Sequence, residues 1–165
     1  ILITHVGEEK AVEAEEGQAL GNPLCFRRPL DMGVKVIMAH AASLGKNADL
    51  DSPASGKREW NFELFVRLMK EERYRKNLFG EISAMTQHNR LTERPKEDAP
   101  LVQLLRHVDL REMLNTRFVN GSDYPLPAIN ILIRTKTLVE LGLITPEERT
   151  ALNVLSEINA SKSTY

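Results

Sequence analysis

The chain has 165 residues, 42% hydrophobic and 27% charged, with a formal net charge of −1. That composition excludes disordered, fibrous and disulfide-stapled classes, and a balanced charge gives no electrostatic reason to expect nucleic acid or an anionic membrane as partner. No apolar run nears the roughly 18–20 residues that span a bilayer, and a single cysteine, Cys25, forbids an internal disulfide and suggests a reducing, cytoplasmic setting.

The first residues, Ile1-Leu2-Ile3-Thr4-His5, are apolar and β-branched and predict a buried strand. Termini are usually loose and exposed, so a chain beginning inside a buried strand suggests that a preceding part of the molecule is absent. Three further runs follow: residues 34–40, 78–83 and 117–123. Their polar ends, His5, His40, Ser83 and Asp123, are 35, 43 and 40 residues apart, room each time for a helix and two loops. Residues 45–57, rich in Gly, Ser, Asp, Asn and Pro, predict a long loop after the second run. Phe62, Phe65, Leu68 and Met69 have helical spacing, as do Leu101, Leu104, Leu105 and Val108. Ile129, Ile133 and Leu138 suggest another helix. The last helix has an N-terminal signature of Thr145, Pro146 and Glu148, with Leu152, Leu155 and Ile158 as its apolar stripe.

Alternating strands and helices predict a parallel sheet with right-handed crossovers. An open doubly wound sheet and a closed (β/α)8 barrel both fit the alternation. Eight units of this length need roughly 310 residues, within the usual barrel range. On that count the chain is about half a barrel. A half-barrel sheet has raw edges and an uncovered face, so it needs a cover: the missing N-terminal half or, in a homo-oligomer, a second copy.

Parallel α/β folds place reactive groups at the carboxyl ends of their strands. Two of the four histidines, His5 and His40, fall there together with Ser83 and Asp123. Imidazole and carboxylate are good ligands for zinc and similar ions. A surface reading suits His88, and a structural one His107 and Trp60. Cys25 lacks an evident base and suits an inert buried thiol. Glu8 is expected to face solvent, and Arg27 and Arg28 suit a surface helix start. Residues 70–76 mix charges and suit a solvated helix face.

The segments His5-Val6-Gly7-Glu8, Val36-Ile37-Met38-Ala39-His40, Gly80-Glu81-Ile82-Ser83-Ala84 and Asn120-Gly121-Ser122-Asp123-Tyr124-Pro125 resemble the C-terminal half of the amidohydrolase superfamily, most of all its amidohydrolase-2 branch. That branch includes metal-dependent hydrolases and aminocarboxymuconate-semialdehyde-type decarboxylases. The resemblance implies an α/β fold, the C-terminal half (strands 5–8) of a (β/α)8 TIM barrel, over residues 1–165. It implies that His5 and Asp123 are metal ligands, that Asp123 takes the proton of an attacking water, and that His40 polarises or protonates substrate, a position that binds metal in other branches. Ser83 and Arg90 are placed as substrate contacts. Asn159 resembles the Asn of the family's closing Asn-Pro, with Ala160 in place of the proline.

The implied cofactor is a divalent metal, zinc by default, with manganese, iron or cobalt as alternatives. The implied partner is a small-molecule substrate, an amide, ester or lactone. The family takes two more ligands from a His-x-His motif on its first strand, and these 165 residues contain none. The isolated chain is therefore expected to be inactive, and the activity to belong to the full-length protein. A non-oxidative decarboxylase on the same scaffold and an inactive or structural fragment stand as alternatives.

Overall fold

The computed structural model describes residues 1–8, 18–123 and 133–162, with side chains in the last helix described as far as residue 157. Four strands, β1 (Leu2–His5), β2 (Val36–Ala39), β5 (Leu78–Glu81) and β6 (Phe118–Val119), form one sheet. Between the second and third lie two short strands, β3 (Lys46–Ala48) and β4 (Arg58–Trp60), paired as a separate antiparallel ribbon. The helices are α1 (Arg27–Asp31), α2 (Asn61–Lys70), α3 (His88–Thr92), α4 (Pro100–Arg106), α5 (Val108–Arg117), α6 (Thr135–Glu140) and α7 (Pro146–Lys162), with short 3₁₀ turns between some of them.

The four-stranded sheet is parallel throughout, and its spatial order β1-β2-β5-β6 is the chain order. Right-handed crossovers in a constant direction put every connecting helix on the same face. The packing agrees. Val36, Met38 and Leu78 point to that face and are fully buried with Phe62, Leu64, Phe65 and Leu68 of α2 and Leu104 and Leu110 of α4 and α5. Phe118 joins them, its ring edge-on to Phe65 at 5.9 Å. Gly80 is what admits Phe118: a Cβ there would lie 2.5 Å from the Phe118 ring.

Strand alternation sends Ile3, Ile37, Phe79 and Val119 to the opposite face. None is buried; Ile3 is 69% and Val119 39% exposed. The first strand therefore differs from the expected buried one: Ile1 and Ile3 stand in solvent on an edge strand with one face open.

Residues 45–57 also differ from expectation. They hold the ribbon, whose sequence Lys46-Asn47-Ala48 has no apolar alternation to betray a strand. Side-chain amides anchor it instead: Asn47 Nδ2 donates to Asn61 Oδ1 at 2.9 Å and Asn22 Nδ2 to the Ala48 carbonyl at 2.9 Å. Trp60 lies under the Lys46 ammonium and the Arg94 guanidinium, at 4.2 and 4.9 Å. Arg67 binds Asp49 and Asp51 at 2.8 and 3.0 Å, and Arg27 bridges Asp51 to Glu71.

The helix expected from Leu101 to Val108 is two helices that break at His107, an exposed residue with extended backbone. The capping box of α7 is formed: Thr145 N–H donates to Glu148 Oε2 at 2.7 Å, and Glu148 N–H to Thr145 Oγ1 at 3.1 Å. Its apolar stripe is not buried, Leu152 and Leu155 being 41% and 55% exposed. The α7 contact with α6 includes the polar pair Thr135 Oγ1 and Asn153 Oδ1 at 3.0 Å. Ile129 lies outside the described residues, as do the side chains of Ile158 and Asn159. Cys25 is exposed rather than buried, on a surface 3₁₀ turn. Among the described residues no helix is long and apolar enough to cross a membrane.

Candidate functional site

His5 and His40 stand side by side where β1 and β2 end, since His5 pairs with Ala39. Their rings meet edge to face with centroids 5.3 Å apart. Asp123 arrives from beyond β6, its Oδ1 3.6 Å from His40 Nε2. Ser83, just past β5, lies on the other side of the same imidazole. Three of the residues singled out in the sequence thus adjoin His40. Their motif's Tyr124 and Pro125 lie outside the described residues.

The backbone at this rim is unusual. Five described non-glycine residues have positive φ: His40, Ala41, Ala42, Ala84 and Asp123. All five follow the carboxyl ends of β2, β5 or β6. Left-handed backbone costs an L-residue other than Asn or Asp about 1–2 kcal/mol, and such strain persists only where surroundings enforce it. Here Ala41 and Ala42 are fully buried, and Gly7 lies against Ala42 and the Leu44 carbonyl. The chain's own packing holds His40 in this turn.

His40 is only 7% exposed. Burial, then the Arg90 charge, pushes its pKa below the usual histidine value, with the Asp123 carboxylate opposing. Its Nδ1 faces the Ser83 carbonyl at 3.2 Å and Ser83 Oγ at 3.0 Å. The Ser83 hydroxyl donates to Glu81 Oε2 at 2.6 Å, so its oxygen turns a lone pair to the ring. Two acceptors on Nδ1 place the proton of neutral His40 there. Nε2 then carries a lone pair and faces the Asp123 carboxylate. Two electron-rich atoms facing each other favour a proton donor or a cation between them.

The donor types suit a divalent ion. In a tetrahedral zinc site neighbouring ligand atoms lie about 3.4 Å apart, close to the observed 3.6 Å between Nε2 and Oδ1. Among the described residues no three His, Cys, Asp or Glu groups gather tightly enough to form a ligand set. His40 Nε2 and Asp123 Oδ1 have the spacing of two ligands of one ion, and among the described residues His5 does not complete a three-ligand set with them.

Ser83 is committed to Glu81 and His40, which makes it a support for the imidazole. Arg90, on α3, is 7% exposed and donates from Nη1 to Ser43 Oγ at 2.8 Å. Glu8 is half-buried beside Gly45 instead of solvated. His88 is half-buried too, its Nδ1 3.0 Å from Thr137 Oγ1. Arg27 is engaged by two carboxylates.

Glu81 is the residue that sequence reasoning passed over. It accepts the backbone N–H of His40 at 3.2 Å and the backbone N–H and hydroxyl of Ser83. Its signal was parity. Glu81 and Ser83 are two residues apart at a strand end, so both face the same side as His5 and Ala39. Comparison with models of protein families, with curated proteins and with solved structures returned no match to this chain.

Proposed function

We propose that this chain is the C-terminal half of a (β/α)8 barrel in a metal-dependent hydrolase acting on a small amide, ester or lactone. Four observations support the barrel: strand order without a reversal, helices on one face, an apolar face left open, and polar groups gathered at the carboxyl ends. The observation that carries the hydrolase reading is His40 Nε2 facing Asp123 Oδ1 across 3.6 Å, with the His5 ring alongside.

His5 and Asp123 would hold the ion, with ligands supplied by a part of the protein beyond these residues. A divalent ion there supplies Lewis acidity toward a carbonyl and makes water more acidic. Asp123, partly exposed, accepts the proton of the attacking water. His40 presents a lone pair at Nε2, which fits a base or ligand better than the substrate-polarising donor that the resemblance implies. Asp123 would pass the proton it takes from water to the facing Nε2 of His40, and that nitrogen would deliver it to the leaving group. Ser83 and Glu81 hold the ring in place throughout.

The test uses the full-length protein. Elemental analysis should find a stoichiometric divalent ion that is lost in His5→Ala. Asp123→Asn should lower kcat against responsive substrates about 10²–10⁴-fold. An intact protein without a divalent ion, or Asp123→Asn with unchanged turnover, overturns the reading. Release of CO₂ from candidate acids would replace hydrolysis by decarboxylation on the same groups.

A further inference from the structure

We propose that Glu81 is a positioning residue that selects the tautomer of His40 through Ser83, and that Gly121 provides the space it occupies. The role of the His40 lone pair in catalysis rests on the reading above; the tautomer itself does not.

Donors surround the Glu81 carboxylate, and its Oε2 also lies 3.7 Å from His40 Nδ1, where it favours a proton on that nitrogen directly. Oε1 accepts the Ser83 backbone N–H, and Oε2 accepts the His40 backbone N–H at 3.2 Å and the Ser83 hydroxyl at 2.6 Å. The residue is 8% exposed. A carboxylate only accepts. It therefore takes the one hydrogen that Ser83 Oγ has to give, and that oxygen has only lone pairs left for His40 Nδ1. The Ser83 carbonyl adds a second acceptor. Both oxygens thus require Nδ1 to be the protonated nitrogen.

The rival tautomer is within reach. With its hydrogen on Nε2, His40 would point it toward Asp123 Oδ1, 3.6 Å away. Ser83 would then have to turn its hydroxyl to Nδ1 and abandon Glu81. Glu81 and His40 Nδ1 compete for the same serine proton, and the charge-assisted bond to the carboxylate is the stronger. The carboxylate thereby keeps the Nε2 lone pair aimed at Asp123.

Glutamine cannot replace Glu81 without conflict. Its amide nitrogen must face either the Ser83 N–H or the His40 N–H, donor against donor. In the second orientation it also donates to Ser83 Oγ and frees the serine hydrogen for Nδ1. Gly121 bears on the same carboxylate. A Cβ at residue 121 would come 2.5 Å from Oε1 and 2.8 Å from Cδ of Glu81. Gly121 does not have the left-handed φ that restricts side chains. Alanine there displaces the carboxylate without straining the backbone or changing any donor or acceptor.

The experiment is long-range ¹H–¹⁵N correlation of the histidine rings, on intact protein labelled with ¹⁵N-histidine and treated with chelator, at a pH where imidazoles are neutral. Wild type should show His40 as the Nδ1–H tautomer. Glu81→Gln should raise the ratio of Nε2–H to Nδ1–H about tenfold. Gly121→Ala should shift it in the same direction by less. In a Ser83→Ala background Glu81→Gln should have a smaller effect, because the relay is gone and only the direct 3.7 Å approach of Glu81 Oε2 to Nδ1 is left. A wild-type Nε2–H tautomer overturns the proposal, and so does a folded Glu81→Gln protein with an unchanged His40 signature. If Glu81→Gln does not fold, an unchanged tautomer in Gly121→Ala overturns it alone. Absence of metal or of hydrolysis would overturn the hydrolase reading and leave this result standing.

Discussion

The two ends of the sheet solve opposite problems. At the amino end, a buried cation meets only acceptors. Arg117, the residue before β6, sends its guanidinium to the carbonyls of Met69 at 2.6 Å, Tyr74 at 3.3 Å and Leu78 at 3.0 Å. Asn77 ties the same end to the Leu30 carbonyl at 2.9 Å. At the carboxyl end, acceptors face one another: the Asp123 carboxylate opposes the His40 lone pair, on backbone held in left-handed conformations. At one end a cation sits among carbonyls, although the buried Asn77 Oδ1 lacks a donor there among the described residues, and at the other two acceptors face each other.

The contrast can be broken most severely at the amino end. Arg117→Met leaves several buried carbonyls without a donor and should cost about 3–4 kcal/mol in the urea midpoint analysis. The His40 ring resonances should not move. An equal loss of stability from Asp123→Asn would erase the distinction between the ends.

A pH titration comes next in size. The folded-state pKa of His40 is lowered, chiefly by burial. The unfolded chain therefore takes up a proton first as pH falls. The stability associated with neutral His40 is present above about pH 6.5 and is lost as pH falls from there through the folded value. Equilibrium unfolding at a series of pH values should show this slope, and His40→Gln should flatten it.

Relieving strain gives a smaller effect of opposite sign. Ala84, with φ of 60°, sits just past the Ser83 hydroxyl that supports His40. Ala84→Gly should gain up to about 1 kcal/mol, read as a higher Tm. A loss would mean that the left-handed backbone there is not strained. The least effect is expected on the ribbon, where Asp51→Asn weakens partly exposed ion pairs with Arg27 and Arg67 and should cost about 0.5 kcal/mol, less in high salt.

The sequence brought His5, His40 and Asp123 together because a polar residue at the end of an apolar run marks the carboxyl rim of a parallel sheet whatever the loops do. It missed Glu81 for the converse reason. The expected strand ran to Ser83, which hid a carboxylate that ends the real strand two residues earlier. It missed β3 and β4 because these strands are held by asparagine amides and charged contacts, which leave no hydrophobic period. The α7 stripe misled because helical spacing reports amphipathicity and not what lies opposite it. Cys25 misled because composition favours burial of thiols, while its 3₁₀ turn faces outward. The parallel order of the sheet was legible in the run-to-run intervals; the open face became visible only from Ile3, Ile37, Phe79 and Val119 together.

The ribbon between β2 and α2 bears on how such a molecule changes over time. Its base is fastened to Asn22, Asn61 and Arg67, while residues 50–58 at its tip are all exposed. Lengthening or rewriting that tip would leave the anchoring amides, and the histidine turn beside them, where they are. Through Asp51 the tip leans on Arg27 of α1 and Arg67 of α2, so a change in its length would be felt first by those two helices.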